Sequence, residues 1–168
     1  MSMRIRLSGL LLLLVLAASL AGCGFQLRGS SALPQSMSVT YIKGIRPFGT
    51  LADDFAAALR VRNIAVTDRE RNATAVLEIT EDSTEKLVVS VDTDGNVLEY
   101  EIRQIIRFSV VTADQLVVVP EQSVVLSRDY IFSSTDVLGK QREEQVVRAT
   151  LQENLVNLAM LRIAAGAH

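Results

Sequence analysis

The hydrophobic positions change period along the chain, and each change marks an element. Arg4 and Arg6 precede Leu7–Ala18, an almost wholly apolar run with Leu or Val at every position from Leu11 to Val15. A basic start, an apolar stretch of about a dozen residues and small residues after it have the form of a secretory leader. The run is shorter than the ~20 residues that cross a bilayer. Residues 23–36 are rich in Gly, Ser and Pro and read as a tether, with Phe25 and Leu27 able to dock. Met37–Lys43 then alternates, with Met37, Val39 and Tyr41 set against Ser38 and Thr40, which predicts a strand. Leu51, Phe55, Ala58 and Leu59 follow at helical spacing. Thr50–Asp53 resembles a capping box, Asp53 and Asp54 lie in the first turn, Arg60 and Arg62 in the last, and Asn63 is a stop signal.

From Ala75 to Val111 the period becomes two. Asp94-Gly95 is a strong hairpin signal, and a two-residue type I′ loop there predicts the pairs Val91–Leu98, Val89–Tyr100, Leu87–Ile102 and Ile79–Val110. The same register sets Glu85 against Gln104 and Glu81 against Phe108, so a bulge or bend is expected in that stretch. The hairpin is long enough to overhang a small domain. Leu116–Pro120 ends one strand, begins the next or forms a loop tip. Gln122–Phe132 is a further strand with Val124, Leu126, Tyr130 and Phe132 on one side. Helical spacing returns over Lys140–Ala164, with Val147, Leu151, Leu155 and Leu158 on one face. The predicted fold is α+β: two helices on one face of a four-stranded, mostly antiparallel sheet, in the order β-α-β-β-β-α. Strand 1 is free to pair in parallel, because a helix follows it.

Composition narrows the function. A formal charge of −2 is wrong for a nucleic-acid binder, which should be strongly basic. One Cys and one His, the latter at the terminal position 168, leave almost every metal site and every His-dependent triad without its residues. Glu99 and Glu101 share a strand face, yet in polar surroundings that do not raise a carboxyl pKa for acid catalysis. An enzyme is therefore disfavoured, and no metal or cofactor is expected. Leu20-Ala21-Gly22-Cys23 resembles a bacterial lipobox, which implies cleavage before Cys23 and a covalent lipid on its sulfur. Two buried acyl chains suffice for stable anchoring. Gly24, where an Asp would signal retention, implies the outer membrane. The predicted organisation is a leader over 1–22, a lipidated tether over 23–36 and one domain over 37–168.

Two further segments carry a family resemblance. Cys23-Gly24-Phe25-Gln26-Leu27-Arg28-Gly29 is similar to the mature N-terminus of the LptE family of lipopolysaccharide-assembly lipoproteins. Ser127-Arg128 through Leu138-Gly139-Lys140-Gln141-Arg142-Glu143-Glu144-Gln145 resembles that family's passage from the last strand into the second helix. The resemblance implies a non-catalytic outer-membrane lipoprotein facing the periplasm. Such a protein plugs the LptD β-barrel, assists its folding and binds lipopolysaccharide during insertion into the outer leaflet. Some members carry a basic residue at the hairpin tip, where this chain has acidic Asp92-Thr93-Asp94-Gly95. The alternative is a lipoprotein that serves another envelope partner.

On that reading Lys140 matches a basic family position. Lys140 and Arg142 are candidates for lipid A or inner-core phosphates, the plainer account being a pair with Glu144 one turn on. Lys86 and Arg103, opposite each other in the assumed register, are candidates for the same anion, the plainer account being a Lys86–Glu101 diagonal pair. Arg107 is expected opposite Asp82. Leu116, Val117, Val118 and Val119 form an apolar patch and, with Arg128 and Tyr130, are candidates for partner contact.

Overall fold

Two turns of the same kind set the frame. The computed structural model describes residues 33–44, 50–133 and 137–166. The leader, Cys23 and most of the tether lie outside them. The elements are β1 (Val39–Gly44), α1 (Thr50–Val61), β2 (Ala65–Thr67), β3 (Ala75–Val91), β4 (Val97–Thr112), β5 (Val117–Ile131) and α2 (Val137–Gly166), with 3-10 turns at Gln35–Met37 and Glu70–Asn72. At the β3–β4 turn Gly95 N–H donates to the Asp92 carbonyl (3.1 Å) and Asp92 N–H to that of Asn96 (2.8 Å). Gly95 has φ +84, and Asp94 has no positive φ. The loop is therefore Thr93-Asp94-Gly95, a type I turn closed by a left-handed residue, and not the two-residue type I′ loop that Asp94-Gly95 predicts. The Asp92 carboxylate accepts from the Asp94 and Asn96 N–H groups and from Asn96 Nδ2, which holds its pKa below the usual value. The β4–β5 turn repeats this geometry with Gln115 at φ 62.

One extra loop residue slips the hairpin by one, and a one-residue slip sends side chains to the opposite face. The pairs are Val88–Tyr100, Lys86–Ile102, Glu85–Arg103 and Glu81–Arg107, so the predicted register is wrong. The expected irregularity is present at Thr80, which is skipped between Ile79–Phe108 and Glu81–Arg107. At the same level of the sheet β5 carries its own shift around Pro120 and Glu121, opposite Phe108–Val110. Thr80 Oγ1 donates to Glu121 Oε2 across β4 (3.1 Å). The bulges re-phase the flanking strands, so Ile79 and Leu77 before Thr80, and Asp82, Thr84 and Lys86 after it, share one face with Ile102, Gln104, Ile106 and Phe108.

The sheet has five strands in the order β2-β1-β3-β4-β5, and β1 runs parallel to both its neighbours. The four-stranded, mostly antiparallel expectation is corrected to a five-stranded mixed sheet. Strand β2 escaped notice because three residues directly after a helix cap show no period. The parallel pairing of β1 agrees with its expected freedom. Its alternation does not: Thr40 is fully buried and donates to the Met37 carbonyl, while Val39 and Tyr41 are half-buried.

Helix α1 ends as Asn63 predicts. Asn63 has φ 61, its N–H reaches the Arg60 carbonyl, and Ile64 N–H reaches that of Leu59, a Schellman cap. Leu51, Phe55 and Leu59 are buried with Leu77, Phe108, Val110, Leu155 and Ile163 in the main core. Helix α2 begins at Val137, earlier than expected, and buries Val147, Leu151 and Leu155, with Leu158 half-buried. A smaller cluster of Ile102, Tyr130, Val147 and Leu151 continues the core toward the Gly95 end. Beyond it the strands overhang, as their length requires: Val88, Val89 and Val91 are each more than half exposed.

A non-glycine residue in the left-handed region is strained by roughly 1–2 kcal/mol, and glycine's greater freedom when unfolded returns about half. Gln115→Gly is accordingly expected to stabilise the domain by about 0.5–1 kcal/mol, measured by urea unfolding, whereas the same exchange at Asp114 should destabilise it.

Candidate functional site

The densest side-chain chemistry lies where the first turns of α2 cross the outer part of β3, β4 and β5. Glu144 is its centre. Lys86 Nζ (2.6 Å) and Tyr130 Oη (2.8 Å) donate to its Oε2, and Arg148 Nε (2.9 Å) and Nη2 (2.7 Å) donate to its Oε1. Lys86 comes from β3, Tyr130 from β5 and Arg148 from one turn further along α2, so the carboxylate ties the helix to the two strands that flank β4. Lys86 Nζ also lies 4.1 Å from the centre of the Tyr100 ring, a cation–π contact. Tyr100 stacks on Tyr130 and meets Phe132 edge-on.

Partial burial pushes the Glu144 pKa up, but its donors and the Lys86 charge prevail and hold it at about 2. Burial likewise acts to lower the Lys86 pKa, and the Glu144 and Tyr130 hydrogen bonds with the Glu144 charge raise it instead. Both partners are thus charged over the whole physiological range. A carboxylate so fully engaged is a fastener, not a general acid or base. Beneath it Gln104 is buried, its Nε2 donating to the Arg148 carbonyl (3.4 Å) while its Oε1 has no partner.

The remaining candidates are placed differently from expectation. Lys140 pairs with Glu143 (2.6 Å), not with Glu144. Arg142, one turn before Val146, is exposed on α2. Arg103 lies across from Glu85 instead of Lys86, on the face away from the helices, and binds Glu101 (2.7 Å) and Glu85 (3.8 Å). Lys86 and Arg103 therefore do not share an anion. Arg107 pairs with Glu81 (3.0 Å), not Asp82. Leu116 ends the β4–β5 turn and Val117 starts β5, exposed at 67% and 66%, while Val118 is half-buried and Val119 fully buried in the core, so the four do not form one surface patch. Arg128 is exposed, paired with Ile102 on the helix-bearing face, and Tyr130 is buried in the Glu144 network.

The structure thus ties Lys86 and Tyr130 to Glu144, sets Arg128 two residues before Tyr130 on the same face of β5 and Lys140 one turn before Glu144 in this region, puts exposed Arg142 on a different side of α2 from Glu144, and leaves Arg103 and the Leu116 end outside it. Glu144, Arg148 and Tyr100 complete that region and were not singled out as site residues. The Glu144–Arg148 spacing of four was visible as a helical pair. Its link to Lys86, 58 positions away, depends on the corrected register. A separate groove of about 660 Å³ runs between α1 and α2, lined by Ala58, Val61, Val156 and Arg148 among others. Among the described residues no group of three His, Cys, Asp or Glu side chains could hold a metal ion.

Because the folded pKa of Glu144 is depressed from 4.5, its stabilising effect is complete above that value and fades as pH falls toward 2. Glu144→Gln is expected to lose roughly 1–3 kcal/mol of stability at pH 7 and almost none at pH 2. Denaturant unfolding of both proteins across that window measures the difference.

Comparison with known proteins gives this geometry a family. The model described as "LptE: Lipopolysaccharide-assembly" matches residues 35–163. The chain is 30% identical over 151 residues to the LPS-assembly lipoprotein LptE of Photorhabdus laumondii, covering 90% of this chain and 81% of that one. It is 28% identical over 139 residues to that of Pectobacterium atrosepticum, covering 79% and 72%. Its fold is similar to that of lipoprotein B from Nitrosomonas europaea (TM-score 0.71, 24% identity, 84% and 91% of the two chains). The rare lipoprotein B of Shewanella oneidensis is also similar (TM-score 0.63, 22% identity, 76% and 93%). The family model and these relatives match nearly the whole described domain, and the chain belongs to the LptE family of lipopolysaccharide-assembly lipoproteins.

Proposed function

We propose that this chain is an outer-membrane lipoprotein, released from a leader over 1–22 and acylated on Cys23, that faces the periplasm. Its domain assembles with the LptD β-barrel, plugs it and binds lipopolysaccharide on its way into the outer leaflet. The observation that carries this reading is the family match over residues 35–163. The chemistry of the Glu144 region supports it. Lys86 and Arg148 outnumber the single carboxylate between them, and Arg128, Lys140 and Arg142 lie within two to four positions of Tyr130 or Glu144 along the chain, Lys140 being paired with Glu143. Lipid A and the inner core offer phosphates, for which Arg and Lys are suited donors. Tyr100 and Phe132 supply apolar surface beside those cations. The network also fixes the cations before any ligand arrives, which lowers the entropy lost on binding.

Lys86 is unsuited to a test, since reversing its charge beside Glu144 would break the fold. Lys140 and Arg142 lie at the start of α2, where acidic residues suit the helix dipole, so Lys140→Glu with Arg142→Glu should leave stability intact. The double variant is expected to retain lipopolysaccharide at least threefold more weakly in a binding assay with an unchanged unfolding midpoint. Equal retention removes both residues from the site. For the partner, tagged and lipidated chain extracted in mild detergent is expected to emerge with a large β-barrel identified as LptD by mass spectrometry. Lipidated chain that emerges alone, or with a different envelope protein, contradicts the plug reading.

A further inference from the structure

Among the described residues the sheet is open along β5, which is 15 residues long and has no described strand beyond it. Phe132 N–H donates to the Leu98 carbonyl (2.8 Å), and the β4–β5 register then runs without a shift from Glu99–Ile131 to Phe108–Gln122. Backbone groups alternate in direction along such a ladder. The even-numbered residues of β5 therefore turn their N–H and C=O groups to β4. Ser123, Val125, Ser127, Asp129 and Ile131 turn theirs outward. Arg162 of α2 donates to the Ser123 carbonyl, which closes the edge at that end. Among the described residues nothing comparable closes it from Val125 to Ile131. Natural edges are commonly blunted by Pro, by charged side chains, Lys above all, or by short length; this stretch contains neither Pro nor Lys, and its two charges are Arg128, on the helix-bearing face, and Asp129.

The side chains of the outward-directed residues lie on the face away from the helices, and they are selective. Val125 and Ile131 are 51% and 68% exposed. Asp129 stands directly across from Glu101, a like-charge pair that is unfavourable in a sheet. Arg103, diagonally across on the same face, is already held by Glu101 and Glu85. A base supplied from beyond the edge would relieve Asp129.

We propose that the edge from Val125 to Ile131 is a strand-addition site for an extended segment of another polypeptide, one with Lys or Arg opposite Asp129 and apolar residues opposite Val125 and Ile131. Only an extended backbone carries donors and acceptors at the two-residue repeat that this edge presents, so the occupant is neither a lipid nor a helix. Ladder hydrogen bonds provide affinity and the alternate side chains provide selectivity. A second copy of this chain fits less well, because the outward-directed residues of its own β5 include no base. The inference stands whether or not the barrel supplies the strand.

The test uses the full-length chain in detergent micelles and the synthetic peptide Val-Thr-Lys-Thr-Ser-Thr-Val, with a counterpart bearing Glu in place of Lys. Hydrogen exchange of individual amides and peptide affinity are read together. The Lys peptide is expected to slow exchange at Ser127 and Asp129 at least tenfold and to leave the amides of Leu126 and Arg128 unchanged. Ser127→Pro removes only an outward N–H, so it should abolish binding with little loss of stability. Should that variant fail to fold, Asp129→Lys decides: it relieves the clash with Glu101 and is expected to shift preference at least tenfold toward the Glu peptide. The proposal is overturned by absent protection of the outward amides, by unchanged peptide preference in Asp129→Lys, or by protection that rises with protein concentration without peptide, which would indicate self-pairing.

Discussion

Glu144 receives four hydrogen bonds from Lys86, Tyr130 and Arg148 where only a small apolar cluster holds the helix to the sheet. The reason lies in lengths. A strand of 17 residues extends roughly 55 Å, and a helix of 30 residues roughly 45 Å. No helix of that size can cover the long hairpin end to end. Over one half of the sheet both helices bury a large core. Over the other half only the first turns of α2 are present, and Ile102, Tyr130, Val147 and Leu151 form a small second cluster. Two Arg148 donors on one carboxylate oxygen plus Lys86 and Tyr130 on the other supply the fixed geometry that so few apolar contacts cannot. The overhang past that point exposes Val88, Val89 and Val91 because nothing is left to cover them.

This arrangement gives one structural feature two consequences. Lys86 and Arg148 are immobilised by a carboxylate that cannot be protonated near neutrality, so a surplus of positive charge is built into the fold instead of being gathered by a ligand. The aromatic rings of Tyr100, Tyr130 and Phe132 lie against it, and a molecule that joins phosphates to hydrocarbon could meet both surfaces at once. The same bulges that let Lys86 face the helix also separate the two halves of the sheet. Thr80 in β3 and the Pro120–Glu121 step in β5 fall at one level, with β4 between them, and are joined by the Thr80–Glu121 hydrogen bond.

Much of this was legible in the chain. The helices, the Asn63 stop, the long hairpin, the bulge within it and the buried positions Leu151 and Leu155 follow from period and caps, because those signals are local. The errors were also physical. Asp94-Gly95 supports either a two-residue or a three-residue loop, and the choice moves every cross-strand neighbour by one. Lys86 consequently seemed to oppose Arg103 when it opposes Ile102 and reaches Glu144. Strand β2 is too short to carry a period, and the burial of Thr40 depends on a hydrogen bond to Met37 that no pattern records. The Leu116–Val119 run looked uniform, yet alternation along β5 buries Val119 and exposes Val117.

The proposed function places lipopolysaccharide at the Glu144 region and not elsewhere on the domain. Photo-crosslinking in growing cells tests it most directly, with a photoreactive residue placed in turn at Arg128, at Arg142 and at Asp114, which sits in the turn at the opposite end of β4. Lipopolysaccharide adducts from positions 128 and 142, with none from 114, are the predicted result. Adducts from position 114 alone, or equal labelling at all three, would contradict the account.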